Sequence, residues 1–346
     1  MTATHLLVGN PTAQSGKNRE RIEQARQLLN RAGIICDFLP TEPAGKTVEL
    51  VRDAIETGAY SVVIAQGGDG TFREVGAGIL ATSRPLSVAL AMLPTGTAND
   101  QGKSFGLHGG EDALAVNVEV IAQGLETRLD AGHVTAYPGG ELPPNKAWFF
   151  DSAAWGISAR ILAARNADRR IVEHLKPLGA IYRDHLVYAG AALRVFLESY
   201  VVTDKFNVLI ESDAGSELLT GLTDLIVKGT RVYAGAWVFD ESSQHDDGLF
   251  EVVPFRGKRD WTSKAIVDLQ GNPITEEFLN ALGIRHSKPF RISRASLKFF
   301  LPRAALPLAA QVDGEEFPAT EQVDIQIDRQ ALRLIVPEQS RWKLGP

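Results

Sequence analysis

The sequence predicts an N-terminal doubly wound α/β domain followed by a mostly antiparallel, β-sandwich-like domain with helical insertions. The chain has 346 residues, which suits two domains of ordinary size. Its first third alternates short apolar runs with segments of helical spacing. From about Asp130 onward, short runs alternate apolar and polar residues, as half-buried strands do. We therefore expect domains at 1–130 and 131–330, with the segment 331–346 returning to the first domain.

The N-terminal domain is predicted to have four strands with helices between them. The predicted strands are His5 to Val8, Ile34 to Leu39, Ser61 to Ala65 and Leu86 to Leu93. The predicted helices are Arg19 to Ala32, Thr47 to Thr57 and Thr71 to Leu80, with apolar residues three or four positions apart. Val62, Val63 and Ile64 follow one another without a polar residue, which is typical of a strand buried on both faces of a parallel sheet. The order βαβαβαβ predicts the doubly wound fold.

The second domain is predicted from shorter strands and two helical insertions. The strands are His133 to Tyr137, Trp148 to Ser152, Phe206 to Ser212, Leu222 to Lys228, Phe250 to Pro254, Leu297 to Phe300 and Val323 to Ile327. The insertions are Asn166 to Tyr200 and Trp261 to Leu282. These runs predict an antiparallel sheet architecture interrupted by helices.

Composition excludes several classes of protein. The net charge is −6, from 36 basic and 42 acidic residues, so no overall basic field is available for nucleic acid. The single cysteine, Cys36, cannot form an internal disulfide or a cysteine metal cluster, which favours a reducing compartment. The N-terminus lacks the pattern of a secretion signal, and no apolar run approaches the roughly 18 residues of a membrane span. We expect a cytoplasmic protein, either free or peripheral at the inner face of the membrane.

A glycine-rich loop is the strongest local signal for chemistry. Gly67, Gly68, Asp69, Gly70 and Thr71 stand between a predicted buried strand and a predicted helix. Glycines allow close approach of the backbone to a ligand, and the first amides of a helix attract an anion. The loop therefore predicts a phosphate site, the alternative being a tight turn with Asp69 or Thr71 as an ordinary helix cap.

Two further polar loops follow strands of the same sheet. The segment from Leu93 to Asp100 follows the fourth strand, and Asn10 to Lys17 follows the first. Loops at the carboxyl ends of parallel strands line the crevice where such sheets bind ligands, so the three loops are expected to converge. The first of them is not a Walker A loop, because six residues instead of four separate Gly9 from Gly16. No Rossmann dinucleotide pattern is present either, which disfavours hydride transfer.

Together the motifs resemble the diacylglycerol kinase catalytic domain family, which includes bacterial lipid kinases and sphingosine kinases and has an NAD kinase-like fold. The residues that carry the resemblance in the N-terminal domain are Asn10, Pro11, Gly16, Lys17, Gly67, Gly68, Asp69, Gly70, Thr71, Glu74, Pro94, Thr95, Gly96, Thr97, Asn99 and Asp100. In the second domain they are Asp246, Asp247, Gly248, Leu249, Asp313, Gly314 and Glu315. The resemblance thus extends over nearly the whole chain.

The resemblance implies an ATP-dependent, magnesium-dependent kinase that phosphorylates a lipid hydroxyl in a cleft between the domains. It implies that the three N-terminal loops bind ATP, that Asp69 lies near Mg²⁺ and the phosphates, and that Thr41 lies near the nucleotide. Asp313 is implied as the general base, with Glu315 beside it, and the alternative for this motif is a solvated Asp-Gly turn. If the segment is extended, the two carboxylates lie on one side. Asp247 is implied as a ligand of a structural magnesium, or else as part of a turn.

Other features bear on the acceptor and on partners. Asp151 and Ser158 stand where many family members carry Asn and Asp, which leaves the identity of the lipid open. The apolar segment Pro177 to Tyr200 predicts either the border of an acyl-chain cleft or an ordinary core helix. The basic residues between Arg160 and Arg183 predict contact with anionic head groups or, alternatively, a solvated helix face. A homodimer is compatible with these features.

Three functions remain in competition. The first is a kinase that transfers the γ-phosphate of ATP to a lipid hydroxyl, most simply that of diacylglycerol. The second is a soluble small-molecule kinase of the NAD kinase type, because the phosphate loop alone does not choose the acceptor. The third is a nucleotide-binding regulator without catalysis, against which the joint presence of Asp69, Asp313 and Glu315 argues.

Overall fold

The computed structural model describes most of the chain and divides it into two compact units. The described residues are 3–13, 17–96, 99–138, 142–164, 205–233, 242–257, 260, 289–302 and 307–342. Unit 1 comprises the chain up to Ala131, Gln244–Gly248 and the chain from Asp328, and unit 2 comprises Gly132–Ser243 and Leu249–Ile327. The predicted helical insertions Asn166 to Tyr200 and Trp261 to Leu282 lie outside the described residues, as do Gly16, Thr97 and, apart from Arg160, the basic residues up to Arg183.

Unit 1 contains a parallel sheet with helices in two pairs. Its strands are β1 (His5–Gly9), β2 (Cys36–Pro40), β3 (Val62–Gly67) and β4 (Ala89–Pro94). Its helices are α1 (Lys17–Arg31), α2 (Lys46–Thr57), α3 (Asp69–Leu80), α4 (Asp100–Ser104) and α5 (Glu111–Gln123), with a short 3₁₀ helix at Pro85–Ser87. The strands pair in the order β2-β1-β3-β4, α1 packs on α5, and α2 packs on α3. A parallel sheet with a helix pair on each face is the doubly wound fold that the periodicity predicts.

The boundaries differ from the predicted ones where local chemistry overrides apolar character. The fourth strand begins at Ala89 and not at Leu86, because Pro85 starts a 3₁₀ turn ahead of it. The second strand begins at Cys36, since Gly33 adopts a positive φ and the chain turns before it can pair. The apolar run in β3 is buried as expected, with Val63 and Ile64 fully excluded from solvent.

The strand order places a topological switch point between β1 and β3. The chain leaves β1 toward β2 on one side and leaves β3 toward β4 on the other side. Open α/β sheets bind ligands in the crevice outside the carboxyl ends of the strands at such a point. These ends are Gly9 in β1 and Gly67 in β3, the starting points of two of the three predicted loops.

Unit 2 is built from antiparallel strands in two sheets. The strands are β5 (Glu126–Tyr137), β6 (Asn145–Phe149), β7 (Ser152–Gly156), β8 (Phe206–Ser212), β9 (Gly215–Leu222), β10 (Asp224–Lys228), β11 (Phe250–Phe255), β12 (Phe290–Ile292), β13 (Arg294–Phe300), β14 (Ala310–Val312), β15 (Glu315–Phe317) and β16 (Gln322–Ile335). Residues 157–164 form the described part of a helix, α6, and Glu338–Trp342 form α7 in unit 1. The first part of β5 and the last part of β16 belong to unit 1, where β16 pairs in parallel with β4.

The two sheets of unit 2 share one apolar core. One sheet contains β6 paired with β5, and β16 followed by β13, β8 and β9; the other has the order β12-β11-β10-β7-β14-β15. Trp155 of the second sheet packs on Phe299 of the first with ring centres 5.5 Å apart, and Phe149 stacks on Phe250 at 5.2 Å. Apolar side chains from both sheets meet in this cluster. The predicted fold class, a doubly wound domain followed by a sandwich-like β domain, is confirmed.

Asp224 is a fully buried carboxyl group at the start of β10. Its oxygens accept hydrogen bonds from the backbone amide of Ser158, at 3.2 Å, and from the Ser158 hydroxyl, at 3.0 Å. Gly156 leaves room for it, since a Cβ there would lie 2.9 Å from Asp224 Oδ1. Burial raises the pKa of Asp224 from its ordinary 3.8 to about 8, against the opposing effect of the hydrogen bonds. Asp224 is therefore neutral in the folded protein at pH 7.

We expect Asp224→Asn to stabilise the protein increasingly as the pH rises. The folded state holds the Asp224 proton up to about pH 8, whereas the unfolded state loses it near pH 4, so this group's contribution to stability falls between these values. Asn is neutral at every pH. The difference in free energy of unfolding between variant and wild type should therefore grow by about 1.4 kcal/mol per pH unit in that window. Thermal or urea unfolding at pH 5.5, 7 and 8.5 measures the gap, with the exposed Asp112→Asn as control. A gap that does not change with pH would contradict the expectation.

Candidate functional site

The loops after β3 and β4 touch each other through their backbones. A Cβ on Gly96 would lie 2.4 Å from the Cα of Gly68, and a Cβ on Gly68 would lie 3.2 Å from the Cα of Gly96. The Thr95 amide also donates to the Gly67 carbonyl at 2.8 Å. Glycine is required at Gly96 for this approach, because any side chain there would meet backbone atoms that cannot move aside. The predicted convergence of these two loops is thus present in unit 1.

The first turn of α3 has no side-chain cap. Its N-cap residue is Gly68, which is in an extended conformation and has no side chain to cap the helix. Gly67 has no room for a Cβ, which would lie 2.3 Å from Thr71 Oγ1. Asp69 is the first residue of the helix and does not cap it, so the alternative interpretation of the motif as an ordinary capped turn is not what the structure has. An uncapped helix start after a glycine loop is suited to an anion.

Asp69 braces the neighbouring loop. Its Oδ1 accepts a hydrogen bond from the amide of Gln101, at the start of α4, at 3.1 Å. Burial raises the pKa of the Asp69 carboxyl, and the amides of Gln101, Asp100 and Asn99 oppose that shift. The carboxylate therefore joins the start of α3 to the start of α4, in the same place where the resemblance implies a metal or phosphate contact.

Asn99 shapes the loop after β4 from within. It has a positive φ of 53°, and its side chain accepts from the Gly96 amide at 2.9 Å and donates to the Gly96 carbonyl at 2.8 Å. Asn tolerates this left-handed conformation better than most residues. Asp100 follows as the first residue of α4 and is buried. The side chain of Asn99 thus holds Gly96 against Gly68, a role that the motif did not predict.

The loop after β1 lies at the adjoining strand end. The Asn10 carboxamide oxygen accepts from the amide of Thr12 at 2.9 Å and from its hydroxyl at 2.8 Å, which forms a turn. The Thr41 amide donates to the Gly9 carbonyl at 3.0 Å, so Thr41 lies beside the end of β1. Pro11 is in the same turn, Glu74 lies one turn into α3, and Lys17 begins α1 with its side chain outside the described part.

Gln66 is a residue of this region that belongs to none of the motifs. It is the last residue of β3 before Gly67 and is fully buried, and neither atom of its amide group has a hydrogen-bond partner among the described residues. A Cβ on Gly9 would lie 3.6 Å from the Gln66 Cβ and 3.3 Å from Ile22 of α1, so Gln66 faces α1. A polar residue at the end of an otherwise apolar strand is the signal that could have identified it.

We expect Gly96→Ala and Gly68→Ala to weaken nucleotide binding, with the larger loss at Gly96. The methyl group would push the two loops apart, and a tenfold loss of affinity corresponds to about 1.4 kcal/mol. Gly78→Ala is the matched control, because its Cβ would lie 2.7 Å from Val51 of α2, away from the loops. Calorimetric titration with ATP and Mg²⁺, alongside thermal unfolding, should show lower stability but retained affinity for the control. Equal affinities for wild type and Gly96→Ala would contradict the loop assignment.

Asp130 forms a second acidic region, in unit 1, with Asp246 and Asp247. Its carboxylate accepts from the amides of Gly248 and Gln330, each at 2.6 Å. The pKa of Asp130 is raised to about 6, and burial is the largest cause. The charges of Asp247 and Asp246 also raise this pKa, whereas the two amide hydrogen bonds lower it. Asp247 is the residue that the motif predicts here, whereas Asp130 was not predicted, because it lies far from Asp247 in the sequence. Within the described part of the chain, no three acidic, His or Cys side chains are arranged to hold a metal ion.

His245, which precedes this acidic segment, is a core residue. Its ring packs edge-on against Phe105 with centres 4.8 Å apart, and Nε2 lies 3.3 Å from the Thr127 hydroxyl. Burial lowers its pKa to about 4, so it is neutral at physiological pH.

Asp313 and Gly314 form a tight turn in unit 2. They connect β14 to β15, both have positive φ, 46° and 76°, and Val312 pairs with Glu315 across the turn. The segment is therefore not extended, because positive φ at both central residues reverses the chain as in a type I′ turn. Asp313 is buried and Glu315 is exposed, so the two carboxylates do not share one environment.

The Asp313 carboxylate sits among backbone amides. Oδ2 accepts from the amide of Phe150 at 2.8 Å, and Oδ1 accepts from Asp151 at 2.9 Å and Ser152 at 3.0 Å. The Asp313 amide donates to the Ser152 carbonyl at 2.8 Å. The Asp313 side chain is thus buried and held by the segment that enters β7, whereas Gly314 and Glu315 of the same Asp-Gly turn are exposed.

Comparisons with known proteins agree with the motifs. Residues 4–134 match the sequence model of the Diacylglycerol kinase catalytic domain. The chain is 30% identical over 144 residues to a "Probable lipid kinase YegS-like" of Cronobacter sakazakii, covering 42% of this chain and 44% of that protein. It is 32% identical over 151 residues to a "Diacylglycerol kinase" of Staphylococcus aureus, covering 43% and 42%. These alignments span less than half the length of the curated relatives.

The fold is similar over a longer stretch. A crystal structure of a diacylglycerol kinase from Bacillus anthracis superposes with a TM-score of 0.66 at 17% identity, covering 98% of each chain. At this identity the similarity establishes the fold alone. The family match is carried by the N-terminal segment, where the three loops lie. Residues 4–134 therefore match the diacylglycerol kinase catalytic domain, the family that their motifs resemble.

Proposed function

We propose that this protein is an ATP-dependent lipid kinase that transfers the γ-phosphate to a lipid hydroxyl, most simply that of diacylglycerol. The observation that carries the proposal is the backbone contact of Gly68 with Gly96 above the uncapped start of α3, at the switch point of the sheet. That arrangement suits a phosphate chain, and it lies within the segment that matches the kinase family. The names of the sequence relatives support a lipid acceptor.

The donor side requires neutralisation of the phosphate charge. Phosphoryl transfer proceeds with charge spread over the phosphoryl oxygens, and amides, cations and Mg²⁺ stabilise it. In this chain the first-turn amides of α3 and the glycine loops supply donors, and Asp69 supplies a carboxylate beside them. These groups fit ATP with Mg²⁺, and the metal when bound would offset the charge on the phosphates. Asn10, Thr41, Thr95 and Asp100 are proposed to border the nucleotide.

The acceptor side requires a group that takes or orients the hydroxyl proton. We assign this role to Asp313, with Glu315 as its neighbour, on the resemblance of the Asp-Gly-Glu motif. The buried position of Asp313 supports a defined orientation, since three amides hold its oxygens. We propose that Asp247, together with Asp130, binds a second, structural magnesium ion. Carboxylate oxygens are ligands that suit such an ion.

The test is a phosphorylation assay with several acceptors. Radiolabelled ATP and Mg²⁺ are incubated with diacylglycerol, monoacylglycerol, sphingosine, ceramide or NAD, and the product is partitioned between organic and aqueous phases. We expect label in the organic phase with diacylglycerol. Label only in NADP would favour the NAD kinase type, and binding of ATP without transfer to any acceptor would favour the regulator.

The proposed place of action is a membrane surface, which needs a separate test. No helix in the described ranges is long and apolar enough to cross a membrane. We propose that the enzyme meets its lipid peripherally, through the basic residues between Arg160 and Arg183, and that it can act as a homodimer. Flotation with anionic vesicles at rising salt tests the surface contact, because screening over a Debye length of about 8 Å weakens it. Binding unaffected by salt would contradict it.

A further inference from the structure

A chain of buried polar groups in unit 2 leads to the turn that holds Asp313. The amides of Phe150, Asp151 and Ser152 hold the Asp313 carboxylate, so the position of this three-residue segment sets the position of that carboxylate. Phe150 and Asp151 precede β7, and Ser152 is its first residue. The Gly229 amide donates to the Asp151 carbonyl at 2.8 Å, so the backbone already joins this segment to the chain after β10. Buried side chains add further hydrogen bonds to this connection.

The Asp151 side chain supplies part of that support. Its Oδ1 accepts from the Thr230 hydroxyl at 2.6 Å, and its Oδ2 accepts from the Ser152 hydroxyl at 3.1 Å. The first distance lies in the range of charge-assisted bonds between a hydroxyl and a carboxylate. Asp151 and Thr230 are 5% and 1% exposed, so water does not compete for this bond. The segment Phe150–Ser152 is therefore tied to the chain beyond β10.

Lys228 fixes the backbone around Thr230. Its ammonium group donates to the carbonyl of Thr230 and, at 2.9 Å, to the carbonyl of Arg231, and the residue is 2% exposed. Lys228 is the last residue of β10 and pairs with Ser152 of β7 on one side and with Glu251 of β11 on the other. A buried ammonium without such acceptors would be costly, so Lys228 and the turn at Thr230 depend on each other.

Gln311 connects Ser152 to the turn at Asp313 and Gly314, and so completes a network of hydrogen bonds among Asp151, Ser152, Thr230, Lys228 and Gln311. Its amide nitrogen lies 3.4 Å from the Ser152 hydroxyl, and its oxygen accepts from the amide of Gly314 at 2.8 Å. Gly314 is the residue after Asp313, so the network reaches the turn through its backbone as well as through its carboxylate. Asp313 keeps a positive φ of 46° that costs free energy for a residue with a side chain. The surrounding bonds hold it there.

We propose that Asp151 and Thr230 are positioning residues for Asp313, acting through the amides of Phe150–Ser152, with Lys228 fixing the Thr230 turn. This inference rests on the proposed function in assigning Asp313 to the acceptor side. It goes beyond that function in naming two buried side chains that affect the rate through the Asp313 carboxylate. Loss of the Thr230 hydroxyl lets the three amides turn away and leaves the Asp313 carboxylate misdirected.

The test compares three threonine variants. Thr230→Val removes the hydroxyl at nearly constant volume, and Thr230→Ser keeps it. Thr223→Val is the control, because Thr223 is also buried in unit 2 and donates at 3.3 Å to the Phe255 carbonyl outside the network. We expect Thr230→Val to lower kcat about ten- to a hundredfold with an unchanged KM for ATP, and Thr230→Ser to restore kcat. Thermal unfolding should show similar losses for the two valine variants.

Amide hydrogen exchange gives a readout that needs no activity. The amides of Phe150–Ser152 should exchange faster in Thr230→Val than in wild type, Thr230→Ser or Thr223→Val. Wild-type kcat and wild-type protection in Thr230→Val would overturn the proposal, as would a loss of kcat equal to that of Thr223→Val. The wild-type protein could lack activity on every acceptor while the variants show the expected exchange pattern. This outcome would reject the proposed function and would still show that the network positions the Phe150–Ser152 amides.

Discussion

Asp69→Asn is expected to lower kcat at least about a hundredfold while the protein remains folded and monodisperse. The Asp69 carboxylate stands at the uncapped start of α3 and accepts a hydrogen bond from the Gln101 amide. Asn keeps one oxygen for that amide and removes the charge, while its NH₂ group replaces the second oxygen near the amides of Asn99 and Asp100. A loss of kcat far larger than the loss of stability in Asp69→Asn therefore reports the contact with metal and phosphate that we propose, and not the brace between α3 and α4.

Asp69→Ala completes this comparison. It removes both the charge and the acceptor for Gln101, so it should lose thermal stability that Asp69→Asn keeps, because an unpaired amide is left behind. Steady-state kinetics over a range of Mg²⁺ concentrations, with thermal unfolding of both variants, separates the two roles. Near-normal turnover in Asp69→Asn would show that Asp69 is a structural brace alone, and the metal contact would have to be sought elsewhere.

Asp313→Asn is expected to lower the rate of phosphoryl transfer by about 10² to 10⁴ with an almost unchanged affinity for ATP. Asn adopts a positive φ readily and is favoured in such turns, so the chain reversal at Asp313 and Gly314 is retained. The carboxylate is lost, however, and one amide of the Phe150–Ser152 segment then faces an NH₂ group. We therefore also expect a modest loss of thermal stability.

Glu315→Gln is the companion variant. Glu315 is exposed beside the turn, so this substitution should have little effect on stability and a smaller effect on the rate. Single-turnover rates at saturating lipid and ATP, with a separate nucleotide titration, measure both variants. A larger loss at Glu315 than at Asp313 would exchange the two roles. A wild-type rate in Asp313→Asn would mean that the motif serves only as a turn.

The fold class could be predicted because periodicity is a local property. Val63 and Ile64 of the apolar run are buried in β3 as its composition predicts, and the alternating runs after Asp130 form antiparallel strands. Boundaries were less predictable: Pro85 delays the fourth strand, and the helices α4 and α5 were not predicted. A five-residue helix such as α4 has too few turns to show a spacing pattern.

The candidate site was predictable where its residues are close in sequence. The glycine loop at Gly67 to Thr71 and the loop at Thr95 to Asp100 follow neighbouring strands, and parallel strands bring their carboxyl ends to one edge. Asp130 was missed because its partners, Gly248 and Gln330, are far away along the chain. The roles of the predicted site residues in catalysis stay predictions.

By itself the sequence determined the fold class of the two domains, the position of the glycine-rich loop between a strand and a helix, and the match of residues 4–134 to the diacylglycerol kinase catalytic domain. These depend on spacing along the chain, which the linear order contains. Only the tertiary structure decided that Gly68 and Gly96 touch, that Asn99 braces its own loop, and that Asp313 is buried in a turn held by amides more than 160 positions earlier in the chain. Such contacts depend on distances across the fold, because strand pairing brings together groups that no local pattern connects.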